Sequence, residues 1–491
     1  MSPAAALRER LAELADLGGA ARLVQWDQQT MMPPGGAERR GEVMATLERL
    51  MHERQTDPAL AACIERATSE AQTEEERAIA RVAQRDFEEA SRIPVALIVA
   101  LARERAASTP AWALARETSD FSRFQPHFER LLALKLEIAA CTPGVAHPYD
   151  ALLDTFEPGA TTAGVRTIFA QLADGLVPLV AELTAAPMPA RLPGPFPVEA
   201  QRTLALEIAR SFGFTDEGWR MDDAVHPFAE SVARSDIRVT SRWSAENLSG
   251  VFATMHEVGH GLYEAGVGAD LDRTTLDSGV SLGIHESQSR MWENHVGRSE
   301  AFWSHWLPRA QQLFPALADL DLATFLRAVN VVEPTLIRVE ADEATYALHV
   351  ILRFELEVAL IEGDLAVADV PAAWNERMHE LLGVPVPDDA HGCLQDVHWA
   401  WGELGYFPTY TLGDIASAQL WDAARAALPG LDASLAEGDC APLRGWLGEH
   451  VHRHGRAVDP PELLLRATGS ALDPASLLRY LSEKYRALYG L

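Results

Sequence analysis

The amino-acid sequence predicts an all-α fold with at most one small β-sheet. Long segments rich in alanine, leucine, glutamate and arginine favour helices at 68–92, 160–186, 199–213, 340–363 and 415–428. Segments with the alternating pattern of a strand are scarce by comparison. We therefore expect helices to make up most of the chain.

The N-terminal segment begins this helical series. Leu7, Leu11 and Leu14 recur at i, i+4 and i+7, which places their side chains on one face of a helix. The densest break in the helical pattern is 187–197, where five prolines exclude a continuing helix or a central strand. We expect one domain over residues 1–491, with 187–197 as a stiff internal loop or a sub-domain boundary.

The best strand candidate is 237–243, which alternates apolar or β-branched residues with polar ones. A helix is expected soon after it, over 247–263. Its apolar stripe consists of Val251, Met255, Val258 and Leu262. The sequence thus predicts a short strand followed by an amphipathic helix in this region.

Composition and charge exclude several function classes. Of 491 residues, 48% are hydrophobic, and 71 aspartates and glutamates outnumber 42 lysines and arginines, giving a net charge of −29. Such an acidic chain is not expected to bind nucleic acid or an anionic membrane surface. No apolar run reaches the roughly 18 residues that span a bilayer, and four scattered cysteines indicate no disulfide framework. We expect a cytoplasmic protein.

The most informative motif is H-E-x-x-H at 256–260. On a helix, His256 and His260 lie one turn apart on the same face, so two neutral imidazoles can converge on one metal ion. Glu257 projects beside them, where it could act as a base towards water at the metal. Hydrolytic zinc sites need a third protein ligand and leave a fourth position for water.

The third ligand could come from any of three candidate residues that follow the motif. Glu286 follows His260 by 26 residues, a spacing typical of zincins whose third ligand is glutamate. His285 and His295 are competing candidates, and Glu293, two helical turns after Glu286, could support the site or be purely structural. Residue spacing alone leaves this choice open.

H-E-x-x-H followed by H-E-S-Q-S-R resembles the carboxypeptidase Taq family of metallocarboxypeptidases. Further segments similar to that family occur in order along the chain. They are Trp26-Asp27-Gln28, Pro148 to Asp154, His226-Pro227-Phe228, Asp236 to Thr240, Ile337 to Glu343 and Gly392 to Trp399. Six ordered segments are far more specific than any one motif.

The resemblance implies a mostly helical fold with a deep central groove and a small sheet beside the site. It implies one divalent metal ion per chain, usually zinc and sometimes cobalt, held by His256, His260 and Glu286. It also implies removal of single residues from peptide C-termini with broad specificity, and a homodimer. The expected partners are therefore peptides with a free C-terminus and a second copy of the chain.

Candidate catalytic residues follow from the proposed hydrolysis. Glu257 would take a proton from water and pass it to the leaving amine. The tetrahedral oxyanion needs a second electrophile opposite the metal. The candidates for it are Tyr410, His226, His398 and Tyr406. The two histidines could instead orient metal ligands through a neighbouring carboxylate.

An exopeptidase also needs a cation that binds the substrate carboxylate. Arg338 is the first candidate because a guanidinium matches a carboxylate bidentately. Its structural alternative is an i, i+4 ion pair with Asp342 on one helix. Further substrate-binding candidates, each with a structural alternative, are Arg238, Gln395 and Tyr406.

Two rival functions share parts of this pattern. An oligopeptidase or dipeptidyl carboxypeptidase would have the same metal centre but release larger products. A catalytically inactive peptide-binding scaffold would keep the helical groove, but the intact H-E-x-x-H motif and Glu286 argue against it. We therefore predict a zinc-type metallocarboxypeptidase.

Overall fold

A computed structural model describes residues 2–491 of the chain. Most of these residues are helical, and three strands form the one sheet found among them. The helices are α1 Pro3–Thr30, α2 Ala37–Gln55, α3 Pro58–Glu70, α4 Glu74–Arg92, α5 Val95–Thr118, α6 Gln125–Ala139, α7 Pro148–Leu153, α8 Thr162–Ala185, α9 Val198–Phe212, α10 Ser249–Gly266, α11 Leu282–Arg290, α12 Glu300–Leu313, α13 Leu322–Val329, α14 Tyr346–Glu362, α15 Val370–Leu382, α16 Pro408–Ala427, α17 Leu431–Ala436, α18 Ala441–His450, α19 Pro460–Thr468 and α20 Ala475–Tyr489. The strands are β1 Trp219–Asp223, β2 Ala229–Ala233 and β3 Asp236–Ser241.

The predicted fold class is confirmed, and the predicted segments differ from the structure mainly at their ends. The strand expected at 237–243 is β3, and the helix expected at 247–263 is α10. The segment 68–92 is interrupted at 71–73, where α3 ends and α4 begins. The segment 340–363 becomes helical only at Tyr346, because residues 338–340 form a separate 3₁₀ turn.

The chain groups into two compact units. The first comprises Met1–Ser91, Arg191–Val329 and Ser417–Ala471, and the second comprises Arg92–Ala190, Asn330–Ala416 and Leu472–Leu491. One boundary, between Ala190 and Arg191, falls inside the proline-rich segment. The chain therefore passes between the units several times.

The first unit is built around α10. This helix packs against α9, α11 and the sheet, whose strand order is β1-β3-β2, with β1 parallel and β2 antiparallel to β3. The predicted stripe residues Val251, Met255 and Val258 are almost completely buried. Leu7 and Leu11 of α1 are buried in a separate apolar cluster with residues of α3 and α4. The predicted apolar faces are thus core faces.

Two glycines of α10 allow its neighbours to approach closely. A Cβ atom at Gly259 would lie 2.7 Å from the Gln288 carbonyl oxygen and 2.7 Å from the Ser289 Cα atom of α11. A Cβ atom at Gly261 would lie 2.5 Å from the Trp219 ring and 2.7 Å from Ile237 of the sheet. Helix α10 is therefore in contact with α11 through backbone on one side and with the sheet on the other.

The change Gly259→Ala is expected to destabilise the protein and to weaken the metal site that the sequence predicts on α10. The obstructing atoms belong to the backbone of α11, so relief requires a shift of the whole helix, at a cost of about 3 kcal/mol. Thermal unfolding and metal content would show the effect. Gly41→Ala is the matched control, because nothing lies within 4 Å of a Cβ atom at Gly41. Equal unfolding temperatures for the two variants would contradict this account.

The second unit has α14 as its buried helix, packed against α7, α8 and α15. Leu348, Val350, Ile351 and Leu352 on successive faces of α14 are all inaccessible to solvent. Helix α8 is long and apolar enough, by length and composition, to cross a membrane. Its residues Phe169, Leu172, Leu176 and Leu183 are buried in this unit, so they form part of its core.

Candidate active site

Helix α10 carries His256 and His260 on one face, with their ring centroids 4.9 Å apart. Helix α11 brings Glu286 to both histidines. One carboxylate oxygen, Oε2, lies 3.5 Å from His256 Nε2 and 3.4 Å from His260 Nε2. Among the described residues, these three form the one group of histidine, cysteine and carboxylate side chains spaced to hold a metal ion.

The close packing at Gly259 explains how Glu286 reaches the histidines. The loop after α10 leads to Ser281, whose Oγ accepts a hydrogen bond from the Ile284 backbone N–H and so caps α11. Glu286 then lies one turn before Ser289 and Arg290 on α11. Its other oxygen, Oε1, accepts a hydrogen bond of 2.8 Å from Arg290 Nε, and Ser289 Oγ donates to Oε2.

These three side chains fit a divalent ion. Two ligands about 2 Å from a tetrahedral ion lie about 3.3 Å apart, close to the two nitrogen–oxygen distances to Glu286. Burial would lower the pKa of His256, but the nearby carboxylates of Glu286, Glu257 and Glu293 raise it to about 9. These carboxylates therefore favour a positive charge at His256, and two imidazoles with one carboxylate suit zinc.

Glu293 positions the first histidine. Its Oε2 atom lies 2.9 Å from His256 Nδ1, and its other oxygen accepts from Arg298 at 3.2 Å. A π-helical turn over 291–296, directly after α11, carries this residue. Burial opposes ionisation of Glu293, but its hydrogen bond to His256 and the charge of Arg290 lower its pKa to about 2. An ionised Glu293 holds the Nδ1 proton of His256 and leaves Nε2 available as a ligand.

His285 supports the second histidine. Its Nδ1 atom lies 2.6 Å from His260 Nδ1, and its Nε2 atom lies 2.8 Å from Glu264 Oε1. Glu264 also accepts a hydrogen bond from the Gly279 backbone N–H. His295, the other competing ligand candidate, stacks on Trp421 at 5.6 Å between centroids. Neither competing histidine belongs to the cluster of three ligand atoms.

Glu257 lies between the two histidines in sequence and is buried. Burial is the largest influence on its carboxyl group and, with the charges of Glu286 and Glu293, raises its pKa to about 7 despite the proximity of His256. Such a carboxyl group can both accept and release a proton near neutral pH.

The change Glu293→Gln is expected to weaken metal binding by about 10- to 100-fold, because a neutral amide orients the His256 ring less strongly than a carboxylate. A titration in competition with a chelator of known affinity measures this. Glu300→Gln, at an exposed position on the adjacent helix, removes the same charge without touching a histidine. If both variants bind metal equally well, the hypothesis that Glu293 positions His256 is wrong.

Arg338 lies in the second unit and forms part of a buried ion cluster. Its Nη2 atom lies 2.8 Å from Asp396 Oδ1, and its Nη1 atom donates to Tyr346 Oη. Arg353 contacts the other oxygen of Asp396. Gln395 Oε1 accepts from the Arg338 backbone N–H and from Arg353 Nη2. The alternative ion pair of Arg338 with Asp342 is wrong, since Asp342 accepts backbone N–H groups of residues 333, 344 and 345.

The predicted oxyanion residues of this unit lie close together. His398 Nε2 is 3.2 Å from Tyr410 Oη, and the Tyr406 ring lies 5.2 Å from His398 and 5.3 Å from Tyr410. Burial, together with the charges of Arg338 and Arg353, lowers the pKa of His398 to about 4 although Asp396 is near. His398 is therefore a neutral imidazole at pH 7.

The remaining candidates lie in the first unit. Arg238 on β3 donates two hydrogen bonds to Asp236 and lies over the ring of Trp26 at 4.3 Å. A second guanidinium, that of Arg220, contacts the same ring at 4.5 Å. His226 is exposed on the loop between β1 and β2. The charge of Arg238 is thus already balanced by a carboxylate within its own strand.

Sequence reasoning missed the supporting roles of several residues. His285 was considered only as a ligand, because its contact with His260 depends on how α11 packs on α10. The contact of Arg290 with Glu286, four residues before it on the same helix, was not expected. Arg353 lies 43 residues before Asp396, and only its position on the apolar helix α14 singles it out. A charged residue inside an otherwise apolar helix is the signal that could have indicated a buried partner.

Two helices thus present two histidines and a glutamate to one point, beside a buried glutamate, which is the arrangement of a metallopeptidase. The model of the carboxypeptidase Taq (M32) metallopeptidase family matches residues 6–485. The chain is 41% identical to thermostable carboxypeptidase 1 of Thermus thermophilus over the whole of both chains. It is 38% identical to carboxypeptidase 1 of Bacillus subtilis, covering 98% of this chain and 97% of that one.

A solved structure is similar throughout. The M32 carboxypeptidase of Deinococcus radiodurans superposes with a TM-score of 0.97 at 42% identity, with 99% of each chain covered. The chain belongs to the carboxypeptidase Taq (M32) family. It is a metal-dependent carboxypeptidase, a peptide hydrolase that acts at the C-terminal bond of peptides. The rival functions, a larger-product peptidase and an inactive scaffold, are not favoured.

Proposed function

We propose that this carboxypeptidase holds one zinc ion through His256, His260 and Glu286 and uses Glu257 as its general base and acid. The convergence of the three ligand atoms within 4.8 Å of one another carries this proposal. A bound zinc ion would polarise the scissile carbonyl and lower the pKa of the attacking water. Cobalt, which accepts the same ligand types, is the proposed substitute.

Glu257 moves the proton in the proposed reaction. It accepts a proton from water as the oxygen attacks the carbonyl carbon, and it then donates that proton to the leaving nitrogen as the C–N bond breaks. The products are a shortened peptide with a new carboxyl group and a free amino acid. The pKa of about 7 that burial gives Glu257 suits both steps.

Arg338 is the proposed contact for the substrate carboxylate, which distinguishes a chain end from an internal peptide bond. Two guanidinium groups, of Arg338 and Arg353, share the single carboxylate of Asp396, and His398 is neutral. This cluster therefore keeps about one positive charge, which supports binding of an anion. After Arg338, the further proposed substrate contacts are Gln395, Tyr406 and Arg238.

Tyr410 is the proposed donor to the oxyanion. Its hydroxyl group faces the neutral imidazole of His398 at 3.2 Å, so His398 can orient the hydroxyl or donate beside it. His226, exposed on its loop, is the third proposed donor. Tyr410→Phe with normal binding of a substrate analogue but reduced kcat would support this assignment.

A second copy of the chain and a cytoplasmic location complete the proposal. Helix α5 exposes the apolar side chains of Val95, Val99 and Leu114 and buries few of its residues, which supports a homodimer through this helix. The net charge of −29 supports a protein without nucleic-acid or membrane partners. Light scattering of the purified protein measures the mass in solution, and a monomer would contradict the dimer.

The test of the proposed function uses one peptide with a free C-terminus and its C-terminally amidated twin, each incubated with zinc-loaded protein. Mass spectrometry should show the free peptide losing one residue at a time and the amidated twin largely intact. Loss of dipeptides, or equal cleavage of both, would contradict the proposed carboxylate recognition. No cleavage of either would contradict the zinc mechanism as a whole.

A further inference from the structure

A cavity of about 560 Å³ lies in the first unit directly beside His260. Its walls come from α1, the edge strand β2, the C-terminal part of α10 and the loop that follows α10. His285 and Glu264, which support His260, form part of its lining. The volume is within the range of ligand-binding pockets, and one of the proposed metal ligands, His260, lines the cavity.

The formal charge of the cavity lining disfavours a carboxylate. Five acidic residues line it, against three arginines: Asp16, Glu230, Glu264, Asp272 and Asp277, with Arg22, Arg234 and Arg273. All three arginines are engaged. The Arg22 Nε atom donates to the Ser231 carbonyl at 2.6 Å, the Arg234 Nε atom donates to the Val267 carbonyl at 2.7 Å, and Arg273 pairs with Asp16.

The position of the charged carboxylate at the C-terminus of the substrate determines which part of the peptide can occupy this cavity. A carboxypeptidase substrate has one residue and a carboxylate on the downstream side of the scissile bond. A surplus of acidic groups repels that carboxylate, whereas the upstream residues carry no obligatory charge. His260, a proposed ligand of the ion at the scissile carbonyl, lines the cavity, so the upstream residues are the part of a bound substrate that best suits its charge.

Glu230 is the carboxylate best placed to select among upstream side chains. It lies on the edge strand β2, its side chain is 17% exposed, and its nearest cation, Arg22 Nε, is 3.9 Å away. Burial raises the pKa of Glu230 to about 7 although Arg22 opposes this. This half-buried carboxylate therefore lacks full compensation, which a second cation would supply.

We propose that this cavity binds the peptide upstream of the scissile bond, and that Glu230 favours substrates with a lysine or arginine side chain there. The inference rests on the proposed role of His260 as a metal ligand. The enzyme would thus select substrates by residues upstream of the scissile bond, which remain in the shortened peptide after cleavage. Peptides with basic residues near their C-termini are thus the preferred class.

The experiment compares acetylated tetrapeptides that end in leucine and carry lysine, norleucine or glutamate at each of the three upstream positions in turn. Norleucine matches the length of lysine without its charge. For the wild-type enzyme, kcat/KM for lysine should exceed that for norleucine on the order of fivefold at one position, and glutamate should be slowest. In Glu230→Gln the lysine preference should disappear, because kcat/KM for the lysine peptide falls to that for the norleucine peptide.

The control Glu199→Gln removes the same charge at a side chain that is 92% exposed, and it should keep the preference. Ala20→Lys adds a cation to the cavity at an exposed helix position and should turn the preference towards glutamate. Equal kcat/KM for lysine and norleucine in the wild type, or an unchanged preference in both cavity variants, overturns the inference. Cleavage of no peptide at all instead overturns the proposed function.

Discussion

The variant Glu257→Gln is expected to lose about 10³-fold in kcat/KM on a peptide with a free C-terminus, while it still binds one metal ion per chain. Glutamine has the same shape but cannot accept a proton from water or return one to the leaving amine. The three ligand atoms that surround the proposed metal position are untouched by the change. The loss should therefore fall on kcat rather than on KM.

Metal analysis of the purified variant, together with steady-state kinetics, checks this expectation. Glu246→Gln, at an exposed position shortly before α10, is the matched control and should keep full activity. A metal-loaded Glu257→Gln enzyme with more than a tenth of the wild-type kcat/KM would show that another group moves the proton. Loss of metal from the variant would show instead that Glu257 supports the ligands.

The variant Asp396→Asn is expected to lower the stability of the second unit by about 3 kcal/mol. Asp396 is the carboxylate between Arg338 and Arg353, with one oxygen on each guanidinium. Its two arginine neighbours hold its pKa far below the usual value despite burial. Without that charge, two buried guanidinium groups face each other uncompensated. Calorimetric unfolding should show a lower transition temperature.

A second substitution makes this test specific to charge. Adding Arg353→Met to Asp396→Asn returns the cluster to its original net charge and should recover part of the lost stability. Asp364→Asn, at an exposed position of the same unit, serves as the control. An unchanged transition temperature in Asp396→Asn, or no recovery in the double variant, would contradict the electrostatic explanation.

The fold class and the position of most helices could be predicted because they depend on local pattern. The stripe of α10 and the alternation in β3 are signals within fewer than 20 residues. Strands β1 and β2 escaped prediction because their local signals are weak: β1 alternates over only four residues, and β2 does not alternate. Trp219–Asp223 and Ala229–Ala233 are strands through pairing with β3, and tertiary pairing can override weak local propensity.

The candidate site was predictable to the extent that its geometry is helical. The two histidines of H-E-x-x-H must share a face, and a family resemblance favoured Glu286 over its neighbours. The partner of Arg338 was not predictable in this way, since Asp396 is 58 residues distant and the local candidate, Asp342, has the ideal helical spacing. The turn at 338–340 lies outside any α-helix, so that spacing has no meaning there.

Each of the three proposed ligands is fixed by hydrogen bonds that do not involve a metal. Arg290 and Ser289 hold Glu286, and Glu293 and His285 hold the two imidazoles. The fold therefore holds the ligand side chains in place before a metal ion binds. Removal of the ion should neither unfold the protein nor change the positions of these side chains. A chelated sample should accept a different divalent ion at once, and its activity should report the chemistry of that ion alone.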